Sequence, residues 1–210
     1  MLFILPLQLF SFEIVQTPIP FDEERITLTK EYIKIHYNMD VADITIVPNI
    51  IVIHHTAIDD YEKSLESFIA TKLSTNRPDL VKAGMLNVSV HFLVEQNGTI
   101  HQLMPLDFMA RHVIGLNYNS IGIENVGGEN YKDNLTHEQL EANIFLVNYL
   151  KKKFNTIDYV IGHYEYKCFD KTNLWREKNP TYRTDKSDPS KRFMRELRAN
   201  IKGFDKVSCD

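Results

Sequence analysis

Cysteine is nearly absent from this chain, with only Cys168 and Cys209 among 210 residues. That excludes a disulfide framework and leaves either one bridge or two free thiols. Basic excess is absent as well. Lys and Arg number 24 against 28 Asp and Glu, for a net charge of -4 and an isoelectric point near 6.1. No long Lys/Arg run marks a polyanion groove, so nucleic acid is not an expected partner. Internal repeats and low-complexity tracts are missing, and tryptophan occurs once, at Trp175. No segment is apolar for long enough to span a bilayer. The candidate at the start, Met1–Phe12 (MLFILPLQLFSF), is too short for that. It is a candidate export-signal core, although no basic residues precede it and no small-x-small cleavage site follows; the alternative is a poorly ordered or packed N-terminal segment. A periplasmic or secreted location is the expectation, with a cytoplasmic one as the alternative.

What is present is ordinary globular composition, 43% hydrophobic and 25% charged, in a length that suits one domain with a sizeable core. A monomer is expected. Eight histidines are an unusual supply, so their placement matters. The chain divides into an N-terminal apolar segment and arm (1–24), a folded domain (25–202) and a tail (203–210). Within the arm, residues 13–24 carry two prolines and four acids and read as a linker or wrapping arm.

The periodicities predict the elements in order. Thr27–Asn38 has apolar or aromatic residues at helical spacing, as does Tyr61–Leu73, which Asn76-Arg77-Pro78 would end. Ile50–Ala57 (IIVIHHTA) is a buried strand running into two histidines. Val88–Glu95 and Thr99–Met104 flank Asn97-Gly98 and predict an antiparallel hairpin. Ser120–Val126 (SIGIENV) is a further strand. Thr136–Phe154 is the clearest helix: Thr136 with Gln139 is a capping box, Leu140, Ile144, Val147 and Leu150 form its apolar stripe, and Lys151–Lys153 suit its last turn. Asp158–Gly162 (DYVIG) is a short strand that stops at His163. Residues 164–187 are polar and irregular, and Ser190–Ile201 is helical. Alternation of helices and strands around one hairpin predicts an α/β domain, with a central mixed β-sheet flanked by helices.

Two histidines, His54 and His163, each follow an apolar strand. A lone histidine at a strand end is more often structural than a ligand, but two such exits together suit a metal centre, and a mononuclear catalytic zinc takes three protein ligands plus water. Asp188 in KSDPS is a candidate third ligand. It is also a candidate helix cap, with Pro189 at the first helical position, and spacing alone favours the cap. Glu124 alternates with Ile121 and Ile123, so it faces away from them, and a carboxylate in such a strand is costly unless used or paired. A structural zinc, usually held by four Cys-rich ligands, does not fit two cysteines outside any ligand motif.

Five motifs in series, IVIHHTA, VSVHFLVEQNGTIHQLMP, NSIGIENVGG, GHYEY and KSDP, make the chain from about Ile50 to about Arg198 resemble the type 2 N-acetylmuramoyl-L-alanine amidases. That family shares its fold with peptidoglycan recognition proteins and phage lysozyme-type amidases. The resemblance implies one Zn2+ held by His54, His163 and Asp188, in the branch that carries Asp rather than Cys at the third position. Cys168 is then an ordinary thiol. It further implies Glu124 as the catalytic glutamate and Lys186 as a cation that stabilises the oxyanion. Val90 stands where the phage branch carries a tyrosine, which agrees with a glutamate-using enzyme. His112, Arg111 and Asn119 are candidate substrate contacts, although Arg111 occupies a position that is often aromatic in the family. The job of His55 stays open. The implied partner is peptidoglycan or soluble muropeptides, and the implied reaction is hydrolysis of the amide between the muramic acid lactyl group and L-alanine. The alternative is a recognition module that binds peptidoglycan without cutting it. The retained ligand set argues against that, because non-catalytic relatives typically lose a zinc ligand.

Overall fold

A computed structural model describes residues 12–74 and 83–207. The strands are β1 (Ile14–Gln16), β2 (Ile50–His55), β3 (Phe92–Val94), β4 (Ile100–Gln102), β5 (Ser120–Asn125) and β6 (Tyr159–Gly162). The α-helices among the described residues are α1 (Glu23–Tyr37), α2 (Tyr61–Ile69), α3 (His137–Lys153) and α4 (Lys191–Asn200). The strands form one sheet in the order β1-β4-β3-β5-β2-β6. Pairing is parallel except between β3 and β4, so the sheet is mixed, as the sequence predicts.

β2 lies between two parallel neighbours, and its four aliphatic residues are fully buried. Continuous apolar sequence is what such a strand needs, because both of its faces are covered. Ile51 and Ile53 join Ile121 and Ile123 of β5 against α3 and α4. Ile50 and Val52 face the other way, with Ile161 of β6, onto Val113, Leu116 and Tyr166. The register matches His54 to Glu124, Val52 to Gly122 and Ile53 to Gly162. Side chains alternate along a strand, so Val52 and His54, Gly122 and Glu124, and Ile161 and His163 occupy one face at one end of three adjacent strands.

Helix α3 secures that end of the sheet. Thr136 caps it, accepting from Gln139 N at 3.1 Å while Gln139 Oε1 accepts from Thr136 N at 3.0 Å, so the expected capping box is present. Of the expected stripe, Leu140, Val147 and Leu150 are buried and Ile144 is partly buried. Two amides add to it. Gln139 donates to the carbonyls of Val94 and Val126. Asn143 donates to Asn125 Oδ1 at 2.7 Å, and Asn125 donates in turn to the His54 carbonyl at 3.0 Å.

Several local expectations change. The stretch expected to be a linker or wrapping arm contains a strand, Ile14–Gln16, that adds a parallel edge to β4. Helix α1 begins earlier than Thr27, because Asp22 accepts from Arg25 N and Glu23 and Glu24 suit the first turn. The hairpin is present, but its strands shorten to Phe92–Val94 and Ile100–Gln102. Helix α2 stops at Ile69. The expected breaker Asn76-Arg77-Pro78, the apolar start up to residue 11 and Cys209 lie outside the described residues. Cys168 is disulfide-bonded and not a free thiol. Among the described residues, no helix is long and apolar enough to cross a membrane.

The stretch 164–187 is irregular but anchored. It opens with a 3-10 helix, His163–Phe169. Trp175 then lies flat on Gly115, where a Cβ would come within 2.6 Å of the ring, and Arg183 stacks over the indole. Glu177 is buried against His36 of α1 at 2.8 Å, and the other ring nitrogen of His36 lies 2.9 Å from the Ala83 carbonyl. This contact fastens the stretch that leads to Asp188. Removing one partner of a buried pair strands the other. His36→Ala should therefore lower unfolding free energy by about 3–5 kcal/mol in denaturant titrations, and a loss under 1 kcal/mol would show that Glu177 finds another partner.

Candidate metal centre

Three side chains converge at the sheet end. His54 is the penultimate residue of β2 and is 1% exposed, His163 follows β6, and Asp188 precedes α4. His54 Nδ1 lies 2.9 Å from His163 Nδ1, His163 Nδ1 lies 3.0 Å from Asp188 Oδ2, and His54 Nδ1 lies 3.3 Å from the same oxygen. Asp188 is free to face them because Ser190, not Asp188, caps α4, accepting from Phe193 N at 3.1 Å. The cap reading that spacing favoured is thus displaced by two residues.

The triangle has the dimensions of a cation site. Ligands bonded at about 2.0–2.1 Å in a tetrahedron stand about 3.3 Å apart, close to the three separations here. Two imidazole nitrogens and one carboxylate oxygen form a zinc-type donor set that leaves a fourth position open.

Glu124 stands beside His54 across the β2–β5 pair. Its Oε2 is buried and has no hydrogen-bond partner in the protein. An orphaned carboxylate oxygen beside a three-donor cluster fits a group that must meet water or substrate there. Burial, and then the nearby Asp188 charge, raise its carboxyl well above the usual range, with Lys186 opposing. Burial also works against ionisation of Asp188, but His163 and His54 outweigh it and hold Asp188 well below the usual carboxylate range. Burial, reinforced by His163, pushes His54 down to about 4. Burial likewise takes His91 to about 4. His91 is wedged between two backbone groups, with Nε2 at 2.9 Å from the Phe108 carbonyl and Nδ1 accepting from Gly122 N at 3.1 Å.

The cluster forms the floor of a cleft of about 540 Å³, whose walls include Arg111, His112, Glu124, Tyr131, Tyr182, Thr184 and Lys186. Lys186 is exposed at its rim. The substrate candidates fare differently. Half-buried His112 reaches the cleft but bonds to His54 and Ser120. Arg111 also lines it, yet its buried guanidinium donates to the carbonyls of Gly84 and Leu86 and lies over Tyr32. Asn119 is not brought to the site. It precedes β5 at the opposite end from Glu124 and bonds to Asn49 and Arg176. His55 lines the cleft as well, packing its ring on Gly128 and accepting from Ala57 N at 3.2 Å in the turn after β2. Tyr131 and Tyr182, also on the cleft wall, carry no sequence signal beyond being aromatic.

A mixed α/β sheet thus carries a three-donor cluster and a buried carboxylate at the ends of its parallel strands. The family model of N-acetylmuramoyl-L-alanine amidase matches residues 45–191, and the chain belongs to that family. Among solved structures, a selenomethionine derivative of AmpD is similar at 21% identity and TM-score 0.57, covering 92% of this chain and 97% of that one. The amidase LysC from Clostridium intestinale is similar at 22% identity and TM-score 0.46, covering 74% of this chain and 85% of that one. The peptidoglycan recognition protein SA of Apis mellifera gives 18% identity and TM-score 0.45, covering 78% and 98% respectively. No curated protein sequence matches the chain significantly.

The buried histidines make the metal-free protein sensitive to acid. Between about 4, the folded-state value of His54 and His91, and 6.5, the ordinary value, the unfolded chain binds protons that the folded one refuses. Stability should therefore fall as pH drops through that window, by up to about 1.4 kcal/mol per pH unit for each histidine. Chemical denaturation of the metal-free protein from pH 7 to 4.5 measures it. His91→Gln should flatten the slope, and an unchanged slope would contradict the assignment.

Proposed function

We propose that this chain is a zinc-dependent N-acetylmuramoyl-L-alanine amidase acting on the lactyl–L-alanine amide of peptidoglycan or of soluble muropeptides. One observation carries the reading: the triangle of His54 Nδ1, His163 Nδ1 and Asp188 Oδ2, with the orphaned Glu124 Oε2 beside it. Family membership supplies the bond to be cut.

His54, His163 and Asp188 would hold the zinc. When bound, the ion supplies Lewis acidity toward a carbonyl oxygen and makes water a stronger acid at neutral pH. Glu124 takes a proton from the attacking water and delivers it to the departing amine of L-alanine. Its burial suits that task, because a shielded carboxylate is a stronger base than a solvated one. Lys186 meets the negative charge that develops on the carbonyl oxygen as water adds. Its charge already acts on both Glu124 and His54. A non-catalytic recognition module has no use for a buried, unpartnered carboxylate next to the cluster, so the enzyme reading is preferred.

Glu124→Gln should retain about one zinc per chain and lose roughly 10²–10⁴-fold in kcat/KM on a disaccharide muropeptide, read by the mass of the released peptide. Undiminished hydrolysis would contradict the role of Glu124. A metal-free wild type that is folded and inactive, and that zinc does not reactivate, would favour the binding module. Parallel digestion of intact sacculi and soluble muropeptides assigns the physical form of the substrate.

A further inference from the structure

His112 has both ring nitrogens engaged. Nδ1 lies 3.0 Å from His54 Nε2, and Nε2 lies 3.2 Å from Ser120 Oγ. The far end of this chain fixes its direction. Ser120 Oγ lies 2.9 Å from the Leu116 carbonyl oxygen. A carbonyl only accepts, so the hydroxyl proton points there and Ser120 offers His112 a lone pair. His112 Nε2 therefore donates to Ser120. In a neutral imidazole the other nitrogen is then an acceptor, and His112 Nδ1 receives the proton of His54 Nε2. That leaves His54 Nδ1 bare, and it is the atom turned toward His163 and Asp188.

The seat for this ring is built into the neighbouring strand. A Cβ on Gly122 would come within 2.8 Å of His112 Nδ1 and 2.9 Å of its Cγ. Gly122 has no left-handed backbone to accommodate, so its glycine provides space. Asn117 Oδ1 holds the loop that carries the ring, accepting from His112 N at 2.9 Å and Val113 N at 2.7 Å.

We propose that His112 is a positioning residue. Through the directed chain from His54 to His112 to Ser120 to the Leu116 carbonyl, it selects the His54 tautomer that presents a bare Nδ1 to the cluster. This departs from the substrate contact that the family resemblance implies for His112. Its purpose rests on the metal-centre reading above, but the hydrogen-bond chain exists without the metal and is tested without it.

The full chain, metal-free and labelled with 15N at histidine, reports each tautomer by long-range 1H–15N correlation. His54 and His112 are both expected to carry their protons on Nε2. His112→Asn keeps an acceptor oxygen in place of Nδ1 and should leave the His54 tautomer unchanged. His112→Leu and Ser120→Ala should convert His54 to a mixture or to the Nδ1–H form. Zinc competition against a chromophoric chelator should show affinity lowered about 10–100-fold in His112→Leu and restored to within a few-fold of wild type in His112→Asn. Wild-type His54 protonated at Nδ1, or a folded His112→Leu that binds zinc as wild type does, overturns the proposal. If His112→Leu does not fold, an unchanged His54 tautomer in Ser120→Ala overturns it equally. Failure of the wild type to bind zinc would count against the metal centre alone, and the tautomer still decides the role of His112.

Discussion

The site depends on the parallel register of β5, β2 and β6. Because His54 pairs with Glu124 and Ile53 with Gly162, alternation places Glu124, His54 and His163 in one row on one face, from segments far apart in sequence. A one-residue slip of any of these strands would turn Glu124, His54 or His163 toward the α3–α4 core. The aliphatic residues at odd positions of β2 and β5, Ile51, Ile53, Ile121 and Ile123, prevent that slip because they are fully buried. The same hydrophobic pattern that folds the sheet therefore aligns the chemistry, and the Asn143–Asn125 pair tethers the His54 carbonyl where the pattern ends.

Gathering those groups in a buried row has an electrostatic cost. Glu124 resists ionisation and His54 resists protonation, while Asp188 keeps its charge against burial chiefly because His163 stands beside it. A cation placed among the three donors relieves all of these tensions together, since it favours bare imidazole nitrogens and ionised carboxylates. Other parts of the wall and its support are committed to structure. Arg111 holds the Gly84 and Leu86 carbonyls, and Trp175 with Glu177 pins the stretch that delivers Lys186 and Asp188.

Much of this was legible in sequence, for identifiable reasons. The β2 strand announces itself because a strand buried on both faces must be apolar throughout, and α3 because its capping box and lysine-rich last turn are local signals. The mixed α/β sheet follows from the order of elements, and the motif resemblance singles out His54, His163, Asp188 and Glu124, which the structure brings together. What escaped depends on tertiary contact. The strand Ile14–Gln16 forms only because the edge of β4 is open to it. The identity of the α4 cap turned on whether Asp188 had better partners elsewhere, which two histidines supply. Asn119 carries the right chemistry for substrate but sits at the wrong end of β5, and residue type alone cannot tell the ends of a strand apart. The direction of the His112 hydrogen bonds depends on Ser120 and the Leu116 carbonyl, which no spacing rule connects.

X-ray absorption spectroscopy of the zinc-loaded protein tests the central claim most directly. The account predicts one zinc with only nitrogen and oxygen neighbours at about 2.0–2.1 Å, including two imidazoles, and loss of one imidazole signature in His163→Ala. A sulfur neighbour at about 2.3 Å, or a zinc environment unchanged by that substitution, would contradict it.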